Sequence, residues 1–353
     1  MTNFRVCLVC SSLGLPCGIG NYTDDLAKAL DKNGANILLT NNIKNFRSIE
    51  AFKPDLVNIQ FEYSLYHIHE LNRFLNRLRR MKITSAITMH GWSDWSVEDN
   101  DIIEHKVDKI IVSNLRLKRR LIERGNSPDK IIIIPMGFRN FKLEDRDKVR
   151  ERLRVDKDRK MVGMYGFFET WKGFDKGVKA IGILQKEYPD ISLLIRSFSK
   201  GYEMAKTAEK SFEAVVKEEG VEVIEVGGRG MYLPLDKIAS ALHACNALLY
   251  PYQELFTYSS SAAIRDGISS FVPIASSAIS FFEDIPDDCV LKVKTNNPRE
   301  IAIAISEIFE REDLREQMVT KQKELVERYS WNNIGIIYMH ELQNNSDKYG
   351  KTC

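Results

Sequence analysis

Ten short apolar runs, most of them rich in β-branched residues, recur along the chain with amphipathic stretches between them. They are RVCLVCS, NILLT, LVNIQF, ITSAITMH and KIIVS in the first half, then MVGMYGFF, SLLIRSF, VEVIEV, ALLYPY and VPIAS in the second. Strands that are apolar throughout are those covered on both faces, and helices between them supply the crossovers that parallel strands need. The pattern predicts an α/β protein with two doubly wound parallel sheets. A length of 353 residues is enough for two cores. Residues 140–160 are charge-rich and poor in core-forming side chains, so the expected domains are 1–150 and 151–330. From residue 331 onward, Ile334, Ile337, Met339 and Leu342 fall at helical spacing. They predict a closing helix, and the polar NNSDKYGKTC after it is expected to fray.

Charge and cysteine usage narrow the function classes. A formal net charge of +2 lacks the basic excess of a general nucleic-acid binder. No run of eighteen apolar residues occurs, and the first twenty residues do not read as a signal peptide. The six cysteines are too scattered for a disulfide framework, so a soluble protein of a reducing, cytoplasmic compartment is expected. Cys7, Cys10 and Cys17 lie near one loop, but without a fourth ligand they read as core and loop thiols, and no metal site is expected. The first 150 residues are basic and the remainder mildly acidic. The positive residues concentrate in two helical stretches: Arg73, Arg77, Arg79, Arg80 and Lys82, then Arg116, Lys118, Arg119, Arg120 and Arg124. These are either solvated helix faces or a peripheral contact for anionic lipid headgroups.

Open α/β sheets bind ligands at the carboxyl ends of their strands, and five loops at such positions carry unusual residues. After the first strand come Gly14, Gly18 and Gly20, which would present helix N–H groups to negative charge, although the dinucleotide fingerprint is absent. His90 ends a strand, and Trp92 and Trp95 follow it with indole faces suited to a sugar ring. Glu98, Asp99 and Asp101 read as a solvated acidic loop. Lys172 and Gly173 mark the turn into a helix, where a lysine can reach a diphosphate. Arg196 terminates an apolar strand and calls for an anionic partner. The richest segment holds Glu254, then Ser259, Ser260 and Ser261 at a helix start, then Arg265 and Asp266, and reads as an anionic-ligand site.

In order and over nearly the whole chain, CGIGNYTDDLAKAL, DLVNIQFEY, TMHGW, KIIVSNLRLKRRL, KIIIIPMGF, GFFETWKG and PYQE resemble glycosyltransferase family 4. The resemblance implies a GT-B fold, with two Rossmann-like domains facing each other across a cleft and the last helix returning to the first domain. It implies a retaining, metal-independent glycosyltransferase without a cofactor that uses a UDP- or GDP-sugar donor and a carbohydrate or lipid-linked acceptor. By the same resemblance Gly18 and Gly20 lie beside the donor phosphates, His90 contacts the transferred sugar, and Lys172 binds the diphosphate. Glu254 takes the role of a displaced family acid. Arg196, Ser259, Ser260, Ser261, Arg265 and Asp266 complete the donor side, and Asn21, Glu62, Trp92 and Trp95 are expected at the acceptor. Two positions depart from the family pattern: Phe167 stands where arginine is usual and Tyr258 where an acid is usual. They keep open a nucleotide-sugar or glycan binder without transfer, and, more remotely, a nucleotide-sugar epimerase on the same fold.

Overall fold

The computed structural model describes residues 4–44, 46–198, 203–228, 231, 233–255, 257–294 and 296–349, the side chains of 344–349 excepted. By its internal contacts the chain forms two compact units. The first comprises residues 1–137, 256–260 and 329–353, and the second 138–255 and 261–328.

The first unit is built on β1 (Arg5–Val9), β2 (Asn36–Thr40), β3 (Leu56–Phe61), β4 (Thr84–Met89), the two-residue β5 (Gly91–Trp92), β6 (Lys109–Val112) and β7 (Ile131–Ile133). Six of these form one parallel sheet in the order β2-β1-β3-β4-β6-β7. Its helices are α1 (Gly18–Lys32), α2 (Phe46–Phe52), α3 (Ile68–Arg80), α4 (Val97–Lys106) and α5 (Leu115–Glu123). The second unit carries β8 (Met161–Phe167), β9 (Ser192–Phe198), β10 (Glu222–Glu225) and β11 (Ala247–Tyr250). The short β12 (Tyr258–Ser259) returns to the first unit, and β13 (Ile274–Ser277) and β14 (Leu291–Val293) complete the second. Its six-stranded sheet is also parallel, in the order β10-β9-β8-β11-β13-β14. Helices α6 (Arg146–Leu153), α7 (Phe174–Leu184), α8 (Glu203–Glu219), α9 (Leu235–His243), α10 (Ala262–Ile268), α11 (Pro298–Glu310) and α12 (Glu312–Arg328) belong to it, and α13 (Trp331–Tyr349) belongs to the first unit.

The central strands are buried as their apolar runs require: every residue of β3 is buried, and so are β11 and β13, whereas the edge strands β2 and β10 are partly exposed. Strand order reverses between β1 and β3 in the first sheet and between β8 and β11 in the second. At such a switch point the loops after the two central strands part and leave room for a ligand.

Two features differ from the sequence expectation. The unit boundary falls at 137/138 rather than 150/151, because the charged stretch forms α6 and packs into the second unit. There Arg150 is fully buried, and its guanidinium donates to the Ala244 carbonyl at 2.7 Å and the Asp156 carbonyl at 2.6 Å. The expected frayed tail is helical to Tyr349, and residues 350–353 lie outside the described residues. Helix α13 packs on α1, with Ile334, Tyr338 and Leu342 buried beside Leu26 and Leu30. No helix among the described residues is long and apolar enough to cross a membrane.

Candidate active site at the carboxyl ends of the strands

In the second unit three strand-end loops close on one another. The Gln253 N–H, after β11, donates to the Trp171 carbonyl, after β8, at 2.7 Å. Trp171 stacks on Phe281, after β13, with ring centroids 5.1 Å apart. Gly173 makes the turn into α7 at φ 66°, and a Cβ there would collide with the Pro251 carbonyl, so both conformation and space demand glycine. The turn holds Lys172 only 7% exposed, with its Nζ 5.2 Å over the Trp171 ring and 5.1 Å over the Tyr252 ring. Ring faces are its neighbours, and among the described residues no carboxylate pairs with it. A Cβ on Gly166, at φ 142°, would come within 2.6 Å of that Nζ.

Glu254 lies on the same edge, exposed, and accepts from the Ser280 N–H at 2.9 Å and from the Ser280 hydroxyl. Ser261 caps α10 by accepting from the Ile264 N–H at 3.5 Å. Arg265 is buried, ion-paired with Asp284, and donates to the Ser261 carbonyl at 3.0 Å. Asp266 is buried and accepts from Arg139 at 2.6 Å and from the Tyr165 hydroxyl at 3.4 Å. Burial, and then the Asp266 charge, push the Tyr165 phenol far up, so it stays a donor. Arg139 and Tyr165 were not singled out in the sequence, where nothing local distinguishes them.

Arg196 corrects an expectation. It is buried and its pKa is lowered by burial, but the partners it needs are backbone carbonyls: Val226, Gly227 and Gly228 at 3.1–3.4 Å and Met231 at 2.5 Å. Its charge orders the loop after β10.

In the first unit the switch-point loops carry the predicted glycines and Glu62. Gly18 and Gly20 form the first turn of α1, whose N-terminus has no side-chain cap. Asn21 follows, half-buried. The Glu62 carboxylate accepts from the Ser64 N–H at 2.9 Å and from the Ser64 hydroxyl, capping the short turn after β3. His90 Nε2 lies 2.9 Å from Gln60 Oε1, and the ring meets Tyr22 edge-on at 4.7 Å. Desolvation pushes its pKa down to about 3, so the imidazole is neutral. With Gln60 accepting, Nε2 carries the proton and Nδ1 keeps its lone pair. Gln60 and Asn58, polar residues at i and i+2 in the otherwise apolar β3, were the overlooked sequence signal here.

The serine triplet is split. Ser259 sits in β12, antiparallel to β5, and its hydroxyl donates to the His90 carbonyl at 2.8 Å. Ser260 lies 2.9 Å from the Ser113 hydroxyl and accepts from Asn114 at 3.3 Å. Only Ser261 starts a helix. Tyr258 lies in the first unit under the Arg116 guanidinium at 4.5 Å.

Trp92 is a second correction: it is fully buried, its Nε1 donating to Asp94 at 3.3 Å, and cannot be a sugar platform. Trp95 is 84% exposed. Glu98, Asp99 and Asp101 lie on α4 rather than in a loop. Cys7 and Cys10 are buried, and burial pushes the Cys7 thiol up to about 12. Among the described residues no group of three or more His, Cys, Asp and Glu side chains could hold a metal ion. Several of the basic residues are structural ties: Arg77 pairs with Glu50, Lys118 donates to the Ile131 carbonyl, Arg120 pairs with Asp94 and Arg124 with Glu104. Arg73, Arg79, Arg80, Lys82 and Arg119 are exposed.

Two parallel six-stranded sheets with polar loops gathered at their switch points define a GT-B protein of two Rossmann-like units. The structure is similar to sucrose-phosphate synthase (tll1590) from Thermosynechococcus elongatus, with TM-score 0.76, 16% identity, and 98% of this chain and 99% of that one covered. It is similar also to a glycosyltransferase from Rickettsia africae ESF-5, with TM-score 0.74, 15% identity and coverage of 98% and 100%. A third is Anabaena Alr3699/HepE in complex with UDP-glucose, with TM-score 0.73, 13% identity and coverage of 96% and 99%. Comparison with curated proteins finds no match. Residues 145–325 match the family described as glycosyl transferases group 1, and the chain belongs to that family.

Proposed function

We propose that the protein is a retaining, metal-independent glycosyltransferase of the family 4 type, moving a sugar from a UDP- or GDP-sugar to a hydroxyl of a carbohydrate or lipid-linked acceptor. The observation that carries this reading is Lys172, a buried ammonium without a carboxylate partner among the described residues, at the switch point of the second sheet. Burying such a charge is costly unless an anion meets it, and a nucleoside diphosphate is that anion. The UDP-glucose complex of the Anabaena neighbour supports the same donor class.

As the anomeric C–O bond lengthens, negative charge grows on the departing diphosphate, and stabilising it is the main catalytic task. Lys172 supplies a fixed positive charge, and the capped start of α10 adds N–H groups. Glu254, oriented by Ser280, accepts from ribose or sugar hydroxyls. Neutral His90 accepts a sugar hydroxyl at Nδ1. Retention requires the acceptor oxygen to approach on the face the nucleotide leaves. The test is nucleoside diphosphate release from UDP- and GDP-sugars, with NMR of the product's anomeric configuration. Acceptor-stimulated release with retained configuration is expected. No release would leave a binder, inversion would overturn the retaining mechanism, and interconversion of free sugar nucleotides would make it an epimerase.

We further propose action on the cytoplasmic face of an anionic membrane. Trp95 and Val97, with Leu115 and Ile122 of α5, are exposed apolar side chains, and Arg119 is exposed beside them on that helix. In liposome flotation, Trp95→Ala with Arg119→Glu should abolish binding to anionic vesicles. Equal binding of the unmodified protein to neutral and anionic vesicles would contradict it.

A further inference from the structure

The amino-terminal end of the second sheet, opposite the edge that holds Lys172, opens into a cavity of about 680 Å³. Its wall includes Lys160 before β8, Asn246 before β11 and Pro273 before β13, with Arg146 from the start of α6, His243 from the end of α9, and Arg315 and Lys323 from α12. Four of the lining residues are lysine or arginine, and Glu316 is the single carboxylate.

These charges are held in place without being neutralised. Lys160 Nζ lies 5.3 Å over the Phe309 ring and Lys323 Nζ 5.9 Å over the Phe271 ring. Among the described residues neither lysine, nor Arg146, makes an ion pair. Arg315 donates through Nη1 to the Ile308 and Phe309 carbonyls at 3.0 and 2.7 Å, which anchors the guanidinium at the end of α11. The His243 Nδ1 donates to the Ser270 carbonyl at 2.8 Å, fixing the ring with Nε2 as its remaining nitrogen. Phe271 is held at φ 54°, a conformation unusual for a bulky side chain. The Arg146 charge also reaches the buried Arg150, whose pKa is lowered by burial first and by Arg146 second. A concave wall of one sign focuses its field on whatever enters, and a bound anion relieves the repulsion.

We propose that this cavity is a second ligand site, for a small phosphorylated metabolite carrying at least two negative charges. The volume falls within the ordinary range for small-molecule sites, roughly 300–1,000 Å³. Lysine and arginine converging on one concavity suit phosphate oxygens. The seven-residue β8 separates the two edges by about 20 Å, so the site is distinct from that of the donor. It does not depend on the donor reading.

Calorimetric titration with inorganic pyrophosphate tests it on the full chain, using the unaltered protein, Lys172→Ala, the double variant Lys160→Glu with Lys323→Glu, and Arg146→Gln. Lys172→Ala should keep a pyrophosphate site that the double variant lacks, with affinity at that site weakened at least tenfold in Arg146→Gln. The double variant should still bind UDP or GDP as the unaltered protein does. Pyrophosphate isotherms for the double variant and Arg146→Gln that match the unaltered protein would overturn the proposal. So would complete loss of pyrophosphate binding in Lys172→Ala, since a single site would then account for all of it.

Discussion

The space around Lys172 is set by Gly166. Alanine at that position would bring a methyl group within 2.6 Å of the Nζ and would force φ 142° on a residue with a Cβ. Gly166→Ala should therefore displace the ammonium and weaken donor binding by about tenfold, equivalent to 1.4 kcal/mol, and the strained backbone should also lower the melting temperature. Titration of nucleoside diphosphate into the variant measures it. His90 offers a pH test. Its folded pKa of about 3 lies below the ordinary histidine value, so between about 6.5 and 3 the unfolded chain binds a proton that the folded protein refuses. The associated stability is complete above about pH 6.5 and is lost as pH falls towards 3. His90→Gln should flatten the fall of the melting temperature with acid across that window, and a slope equal to that of the unaltered protein would place the loss elsewhere. A charged residue ending an apolar strand announces that Arg196 has partners, but not that four carbonyls supply them. Two tryptophans three positions apart in one loop gave no sign that Trp92 is buried and Trp95 bare.

At the scale of elements, the ten apolar runs were legible because a parallel strand covered on both faces is mostly apolar, and the edge strands β2 and β10 keep enough aliphatic residues to show the same pattern. The excursion of β12 was not. Tyr258 and Ser259 pair with only two residues of β5, and a two-residue ladder leaves no periodicity to read. The triplet Ser259–Ser261 looked like one helix start, whereas the first two serines bond to His90, Ser113 and Asn114 and only the third caps α10. Helix α13 was legible from its apolar spacing, but the bond that ties it down was not. The buried Tyr338 hydroxyl receives the Asn58 amide of β3 and lies 3.1 Å from the Thr88 hydroxyl of β4. Tyr338→Phe leaves those two buried polar groups short of a partner. It should cost about 1–3 kcal/mol in chemical denaturation, and a loss under about 0.5 kcal/mol would show that the tie contributes little.

For the whole molecule, the charged stretch at 140–160 looked like a linker because few of its residues are apolar. Yet the aliphatic stem and five donors of Arg150 let a charged residue serve as a core residue once backbone carbonyls surround it. Lys172 and Glu254 were legible as residues that follow strands, and those two strands flank the reversal in strand order. The central claim is that a nucleoside diphosphate meets Lys172 at that edge, and calorimetric titration of UDP and GDP into the unaltered protein and Lys172→Ala tests it most directly. The unaltered protein should bind at least one of the two nucleotides, and the variant should bind it at least tenfold more weakly. Equal affinity in the two proteins would contradict it.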